Sequence, residues 1–218
     1  MLAVDTTTPR GSVAVADGDE LLGEVRLSSD QSHSTRVLPA ARFLLDGLAL
    51  RPSDLGGFAV TTGPGSFTGL RVGLSTIQGL ALAAGRPCLG VSSLDVLAAR
   101  MRGMALHLAA LMDAFRGEVY AALYDLEGRL IGDRRAVTPE EFLATVPAGS
   151  AFLGDGVVRY RRDVLAACPG ALLPDRSLFL AGTLARIAAP RLAAGGGAGP
   201  EALRPVYLRR ADIGKGGA

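Results

Sequence analysis

A glycine-rich segment between two apolar stretches constrains the fold of this chain more than any other feature of its sequence. Residues 58–62 have the apolar, β-branched composition of a strand, and residues 68–84 carry apolar side chains at helical spacing. The connection contains Gly63-Pro64-Gly65-Ser66-Phe67-Thr68-Gly69, whose glycines and proline require a tight turn. Ser66 or Thr68 is suited to cap the helix. The segment predicts a strand–loop–helix junction that either binds an anion at the helix N-terminus or only turns the chain.

The composition indicates a globular protein with a substantial core. Of its 218 residues, 49% are hydrophobic and 20% are charged, which excludes extended disorder. A net charge of +2 excludes a global basic field as the basis of nucleic-acid binding. Cys88 and Cys168 lack the spacing of a zinc or disulfide framework. The longest apolar stretch, Gly79–Val91, is too short to span a bilayer and the N-terminus lacks a signal-peptide pattern, so we predict a cytoplasmic protein without a membrane segment.

The predicted elements occur in the same order in each half of the chain. The first half has predicted strands and helices over 2–5, 12–17, 20–28, 34–50 (helix), 58–62, 68–84 (helix), 88–91 and 92–102 (helix). The second half has them over 106–112, 118–125, 130–137, 139–145 (helix), 151–153, 157–167 (helix) and 177–192 (helix). The glycine-rich stretch 195–200 predicts a flexible linker, and residues 213–218 predict a frayed, flexible tail.

This duplication predicts an α/β fold built from two β-β-β-α-β-α lobes around a cleft. A unit of this kind used twice resembles the actin/Hsp70/sugar-kinase (ASKHA) superfamily, in which nucleotide binds between the halves. We predict an N-terminal lobe over residues 1–103, which also carries partner-binding helices, and a C-terminal lobe over residues 104–218.

Equivalent carboxylates end the first strand of each half. Asp5 and Asp113 each precede a turn, and in the superfamily such carboxylates face the cleft and position Mg²⁺ and phosphates. The alternative is that each carboxylate braces the hairpin turn beside it. The second half has no clear glycine-rich adenosine loop, so we expect weak nucleotide binding by the chain alone. The predicted vestigial nucleotide cleft comprises Asp5, Thr6, Asp113, Gly154, Asp155 and Gly156.

Four segments resemble the TsaB (YeaZ) family. The most specific is Gly63–Gly73; the others are Leu2–Thr8, Met112–Tyr120 and Pro205–Arg209, and together they span nearly the whole chain. The resemblance implies a non-catalytic partner of the transferase TsaD, which transfers threonylcarbamoyl to adenine 37 of tRNAs that read codons beginning with A. It also implies that the small ATPase TsaE joins the assembly, that ATP, ADP and Mg²⁺ act in or through the partner complex, and that tRNA contact is indirect.

The histidines do not repeat the metal-binding pattern of the catalytic paralogue. TsaD carries a His-x-x-x-His pair, in which both side chains share one helix face. Here His33 is followed by Val37, and His107 lies in an apolar strand, so we expect no metal site. No nucleophile motif is evident, and we therefore predict no catalytic residues of the chain's own. The alternatives are an ATP-dependent kinase or transferase of the ASKHA superfamily and a peptidase that acts on the paralogue.

The two long helices of the first half are more apolar than one buried face requires. Arg71 is the only charged residue in the helix over 68–84. Either the second half of the chain covers this helix or a partner does. The resemblance favours a partner, because family members use these helices for both the heterodimer and a homodimer. The predicted interface residues are Arg36, Val37, Leu70, Arg71, Leu74, Ile77 and Gln78.

Overall fold

The structure is a computed structural model that describes residues 1–28 and 32–208. Arg209 and the tail predicted from residue 213 lie outside the described residues. No helix in the described part of the chain is long and apolar enough to cross a membrane.

The first half contains a mixed sheet and three helices. Its elements are β1 (Leu2–Asp5), β2 (Arg10–Asp17), β3 (Glu20–Ser28), α1 (His33–Gly47), β4 (Phe58–Gly63), α2 (Phe67–Ala84), β5 (Cys88–Ser92) and α3 (Ser93–Ala99). The strand order is β3-β2-β1-β4-β5, in which β1 pairs antiparallel with β2 and parallel with β4. The strand–loop–helix junction predicted from the glycine-rich segment is therefore present as β4, its turn and α2.

The second half repeats this arrangement with one strand fewer. Its elements are β6 (His107–Asp113), β7 (Val119–Asp125), β8 (Leu130–Val137), α4 (Pro139–Leu143), β9 (Ala151–Leu153), α5 (Asp155–Arg159), α6 (Arg161–Ala167) and α7 (Ala181–Ala193). The strand order β8-β7-β6-β9 matches β3-β2-β1-β4 of the first sheet. The helix predicted over 157–167 is divided, because Tyr160 leaves the helical region with φ −104° and ψ 29°.

The molecule has five layers. One core cluster joins the outer face of the first sheet to α1 and α2, and another joins the outer face of the second sheet to α4, α5 and α6. The third cluster lies between the two sheets and contains the apolar faces of α3 and α7. Helix α3 packs against strands of both sheets, and α7 packs against α3 and the first sheet. This is the α/β architecture of two lobes predicted from the duplication.

A polar cluster also joins the two halves. Tyr124 on β7 donates a hydrogen bond from its hydroxyl to Asp95 Oδ1 on α3 (2.8 Å). Arg134 on β8 donates to both carboxylate oxygens of Asp95, with Nη2 distances of 2.7 and 2.8 Å. Hydrogen bonds thus connect α3, before the boundary predicted near residue 103, with β7 and β8 after it.

The C-terminal segment returns to the first sheet. Ala198 exchanges two backbone hydrogen bonds with Cys88 of β5 (2.9 Å each), so the glycine-rich stretch predicted as a free linker is tied to the sheet edge. Leu203 is buried in the cluster beneath α2, and the Val206 N–H donates to the carbonyl of Thr62 (2.7 Å). Val206 is thus held by its backbone, while its side chain is 41% exposed.

Candidate functional site

Asp5 lies at the end of β1 in a fully buried corner of the predicted cleft. Its Oδ1 accepts hydrogen bonds from the hydroxyls of Thr7 and Thr61 (2.7 Å each) and from the Thr7 N–H (3.2 Å). Its Oδ2 is buried without a hydrogen-bond partner among the described residues. Burial raises the pKa of Asp5 above its ordinary value, although the hydrogen bonds from Thr61 and Thr7 and the nearby His33 lower it. Asp5 therefore braces the strand ends, which is the alternative that the sequence left open.

The glycine-rich turn closes over this corner. The Ser66 N–H donates to the carbonyl of Thr7 (2.7 Å), and Thr6 Oγ1 donates to the carbonyl of Gly69 (2.7 Å). A Cβ on Gly69 would lie 2.0 Å from the Thr6 carbonyl oxygen, so only glycine permits this approach of α2 to β1. The Ser66 side chain caps α2 by accepting from the Gly69 N–H. Close packing therefore explains Gly69, and helix capping explains Ser66.

Asp113 lies in the equivalent corner of the second half but has different partners. Its Oδ1 accepts from the Phe115 N–H (2.9 Å), and its Oδ2 accepts from Arg159 Nη1 (2.7 Å). The Asp113 N–H donates to Oδ1 of Asp155 (3.1 Å). Burial raises the pKa of Asp155, while this hydrogen bond lowers it. Asp113 thus caps its turn and pairs with an arginine that no sequence motif had indicated.

The remaining cleft residues hold the turn after β9. Gly154 has a φ of 133°, and a Cβ there would lie 1.8 Å from the carbonyl oxygen of Leu111. A cavity of about 560 Å³ opens beside this turn, with Arg10 of the first half and Arg161 of the second among its lining residues. The structure therefore brings Asp113 together with Gly154, Asp155 and Gly156. Within the described residues, no hydrogen bond or ion pair connects this corner with Asp5 and Thr6.

The described residues contain no group of three histidine, cysteine or acidic side chains placed to hold a metal. His33 begins α1, and its Nε2 lies 2.8 Å from the Thr8 carbonyl, which it reaches as a donor. Val37, one turn along the helix, is fully buried in the core. His33 therefore connects the start of α1 to the turn after β1.

The structure corrects the predicted interface on α1 and α2. Val37, Leu70, Leu74 and Ile77 are between 0% and 4% exposed, because these faces of the two helices pack on the first sheet. They belong to the chain's own core and are not available to a partner.

The other predicted interface residues lie nearer the surface. Gln78 Nε2 donates to the carbonyl of Pro200 (3.1 Å) and so holds the C-terminal segment. Arg36 is half-buried, and its Nε donates to the carbonyl of Ser32 (3.4 Å). Arg71 is exposed, with its guanidinium 3.9 Å from the centre of the Phe67 ring.

The outward faces of α1 and α2 carry apolar side chains that nothing in the described chain covers. Leu82 on α2 is 74% exposed and Phe43 on α1 is 71% exposed. On α2, five of the exposed residues recur every three or four positions and form one stripe: Phe67, Arg71, Ser75, Gly79 and Leu82. We call this stripe, together with Leu38 and Phe43 of α1, the outer helical face. Sequence periodicity missed it because α2 is apolar on nearly every side.

The duplicated sheets, the central helices and the paired cleft corners define a protein of the ASKHA class. The activator of 2-hydroxyisocaproyl-CoA dehydratase from Clostridium difficile, solved with bound ADPNP, shares this fold at 11% identity, with a TM-score of 0.53, coverage of 94% of this chain and 98% of that one. YeaZ from Pseudomonas aeruginosa is much more similar, with 35% identity, a TM-score of 0.81 and coverage of 95% of this chain and 98% of that one. The chain belongs to the TsaB (YeaZ) family.

Sequence comparisons agree with this assignment. Residues 20–152 match the family described as TsaD, tRNA N6-adenosine threonylcarbamoyltransferase. The tRNA threonylcarbamoyladenosine biosynthesis protein TsaB of Bacillus subtilis is 35% identical over 131 residues, which are 60% of this chain and 57% of that protein. An uncharacterized protein of Mycobacterium tuberculosis is 32% identical over 97% of this chain and 92% of its own length. The match thus spans about half the length of the Bacillus relative.

Proposed function

We propose that this chain is a non-catalytic subunit in the synthesis of threonylcarbamoyladenosine at position 37 of tRNA. In this proposal it binds a TsaD-type transferase through the outer helical face, TsaE joins the same assembly, and the chain forms a homodimer when alone. In this proposal the chain acts in the cytoplasm and contacts tRNA only indirectly, through the transferase. Family membership supports the pathway, since the relatives named TsaB are described as threonylcarbamoyladenosine biosynthesis proteins.

The observation that carries the proposal is the exposed outer helical face. Large apolar side chains are normally buried, and the outer helical face leaves four of them exposed: Leu38, Phe43, Phe67 and Leu82. Leu82 and Phe43 supply apolar area, while Ser75 and Gly79 are small enough for another helix to approach closely. Arg71 stacks on Phe67, which keeps a flat cationic group at one end of the stripe. These features fit a packed helix pair with a polar end.

Replacing Leu82 with Asp tests this interface. Because Leu82 is 74% exposed, we expect the variant to fold normally, to run as a monomer in light scattering, and to lose co-purification with the TsaD-type protein of the same organism. Leu165→Asp is the matched control, since Leu165 is 50% exposed on α6 in the second half. If Leu82→Asp retained the partner at wild-type affinity, the interface would be misplaced.

A second candidate function is an ATP-dependent transferase activity of the chain itself. It is favoured by the match of residues 20–152 to a family described as a threonylcarbamoyltransferase. Titration calorimetry with Mg²⁺ and ATP on the isolated chain separates the two candidates. The accessory role predicts weak or no binding in the cleft, so Asp5→Ala should leave any ATP affinity of the chain unchanged. Micromolar affinity that is abolished by Asp5→Ala would favour the transferase.

A further inference from the structure

A strongly basic cavity of about 550 Å³ lies along α7, away from the outer helical face. Five arginines line it: Arg100, Arg102, Arg176, Arg186 and Arg191. Asp19 is the single carboxylate among its lining residues. The whole chain has a net charge of only +2, whereas the lining of this cavity carries five arginines and one carboxylate. Surfaces without a ligand usually intersperse the two signs of charge, because like charges at close range repel each other.

The arginines of this cavity lack acidic partners. In the described part of the chain, no ion pair involves Arg102, Arg176, Arg186 or Arg191. Nearby Glu24 is already engaged, since it accepts from the Arg26 guanidinium and from the Gly182 N–H. Asp19 and Glu24 therefore offset only part of the positive charge of the cavity.

Arg100 anchors the floor of the cavity. Its Nη1 donates to the carbonyl of Phe179 (2.9 Å) and to the hydroxyl of Thr183 (3.1 Å), which fixes the guanidinium against α7. Its Nε is buried and has no hydrogen-bond partner among the described residues. Burial lowers the pKa of Arg100, and the charges of Arg176, Arg26 and Arg186 lower it further, while Glu24 raises it. The guanidinium is therefore held in place at the cavity, where its charge attracts an anion.

Helix α7 carries a threonine, a proline and two arginines that line the cavity. Thr183, Arg186, Pro190 and Arg191 lie on one helix face, and the rise between Arg186 and Arg191 is about 7.5 Å. The planar fork of arginine matches two oxygens of one phosphate, and a concave basic surface concentrates anions. Arg176 also lines the cavity beside Gly154, so basic groups continue from one cavity to the other.

We propose that this cavity binds a ligand that carries adjacent phosphate groups. The inference goes beyond the proposed function, because it concerns a site separate from the outer helical face and requires no partner protein. The phosphates come either from a small oligophosphate or from the backbone of an RNA, and the two sources present the same chemistry to the arginines. The RNA source would replace the indirect contact with tRNA in the proposed function by a direct one.

The test compares two double variants that remove the same charge. Arg186→Gln with Arg191→Gln changes the cavity, whereas Arg42→Gln with Arg162→Gln removes exposed arginines that do not line it. The probes are inorganic triphosphate, ATP and unmodified tRNA, each titrated at low ionic strength with the full chain. Since a charge-assisted contact contributes about tenfold in affinity, we expect the cavity variant to weaken binding about a hundredfold and the control to leave it nearly unchanged.

The probes also distinguish the sources of the phosphates. Binding of triphosphate and ATP identifies a small oligophosphate. Binding of tRNA alone, with a salt slope that falls by about two in the cavity variant, identifies RNA backbone phosphates. The proposal is overturned if no probe binds the wild-type chain, or if both double variants weaken binding equally. Either result leaves the partner test with Leu82→Asp unaffected.

Discussion

At the scale of single residues, Asp5 shows how a position typical of catalysis can serve the fold. Its Oδ1 takes three hydrogen bonds from Thr7 and Thr61, whereas its Oδ2 is buried without a partner in the described chain. A carboxylate in such a place is destabilised by burial, and its pKa is raised. The folded state therefore favours the protonated acid.

This raised pKa predicts a pH dependence of stability. The native state holds the Asp5 proton more tightly than the unfolded state, so the contribution of Asp5 to stability is present below the ordinary value of 3.8 and is lost as pH rises through the raised pKa. The expected loss is up to about 1.4 kcal/mol per pH unit within that window. Urea unfolding of wild type and Asp5→Asn across this range measures it, because the variant cannot ionise. The free energy of unfolding of wild type minus that of Asp5→Asn should therefore fall as pH rises. A value that stayed constant or rose with pH would contradict the expectation.

At the scale of elements, the sequence predicted the junction of β4 and α2 but not which face of α2 is buried. The glycine-rich turn and helical spacing predicted a helix over 68–84, and α2 runs from Phe67 to Ala84. The choice of Leu74 and Ile77 as partner contacts was wrong, because a helix with apolar residues on nearly every side has no periodicity that marks the face toward the sheet. Only the packing of α2 on β4 and its neighbouring strands decides which face is buried.

Close packing at this junction predicts opposite effects for two glycines of α2. A methyl group on Gly69 meets the Thr6 carbonyl oxygen at 2.0 Å, so Gly69→Ala should destabilise the protein by about 1–3 kcal/mol. A methyl group on Gly79 would have nothing within 4 Å, and Gly79→Ala should stabilise the protein by about 0.5–1 kcal/mol through helix propensity. Denaturant unfolding of both variants checks this. Equal effects would show that α2 can move away from β1 at no cost.

At the scale of the whole molecule, the duplication was readable from the sequence, but the joining of the halves was not. Both sheets follow the repeated element order, as predicted. The contact of Asp95 with Arg134 connects residues 39 positions apart and follows no local pattern. Likewise, no periodicity indicates that α7, late in the second half, packs on the first sheet through Ala185 and Ala188.

The central cluster predicts that the two halves unfold together. Leu97 and Leu184 lie in one core with strands of both sheets, so opening either half exposes apolar surface of the other. Native-state hydrogen exchange should therefore give similar opening free energies for backbone amides of β1 and β6. Opening energies that differ by several kcal/mol would instead indicate independent lobes, with the division near residue 103 as a folding boundary.

The return of the chain to β5 has a consequence for solubility. β5 is the last strand of its sheet, and the backbone of Ala198 occupies hydrogen-bonding groups that an edge strand otherwise offers to any other extended chain. A protein shortened before Ala198 would present that edge to its neighbours, and self-pairing of such edges leads to aggregation. The bridge between Ala198 and Cys88 thus keeps this part of the sheet edge from pairing with another chain.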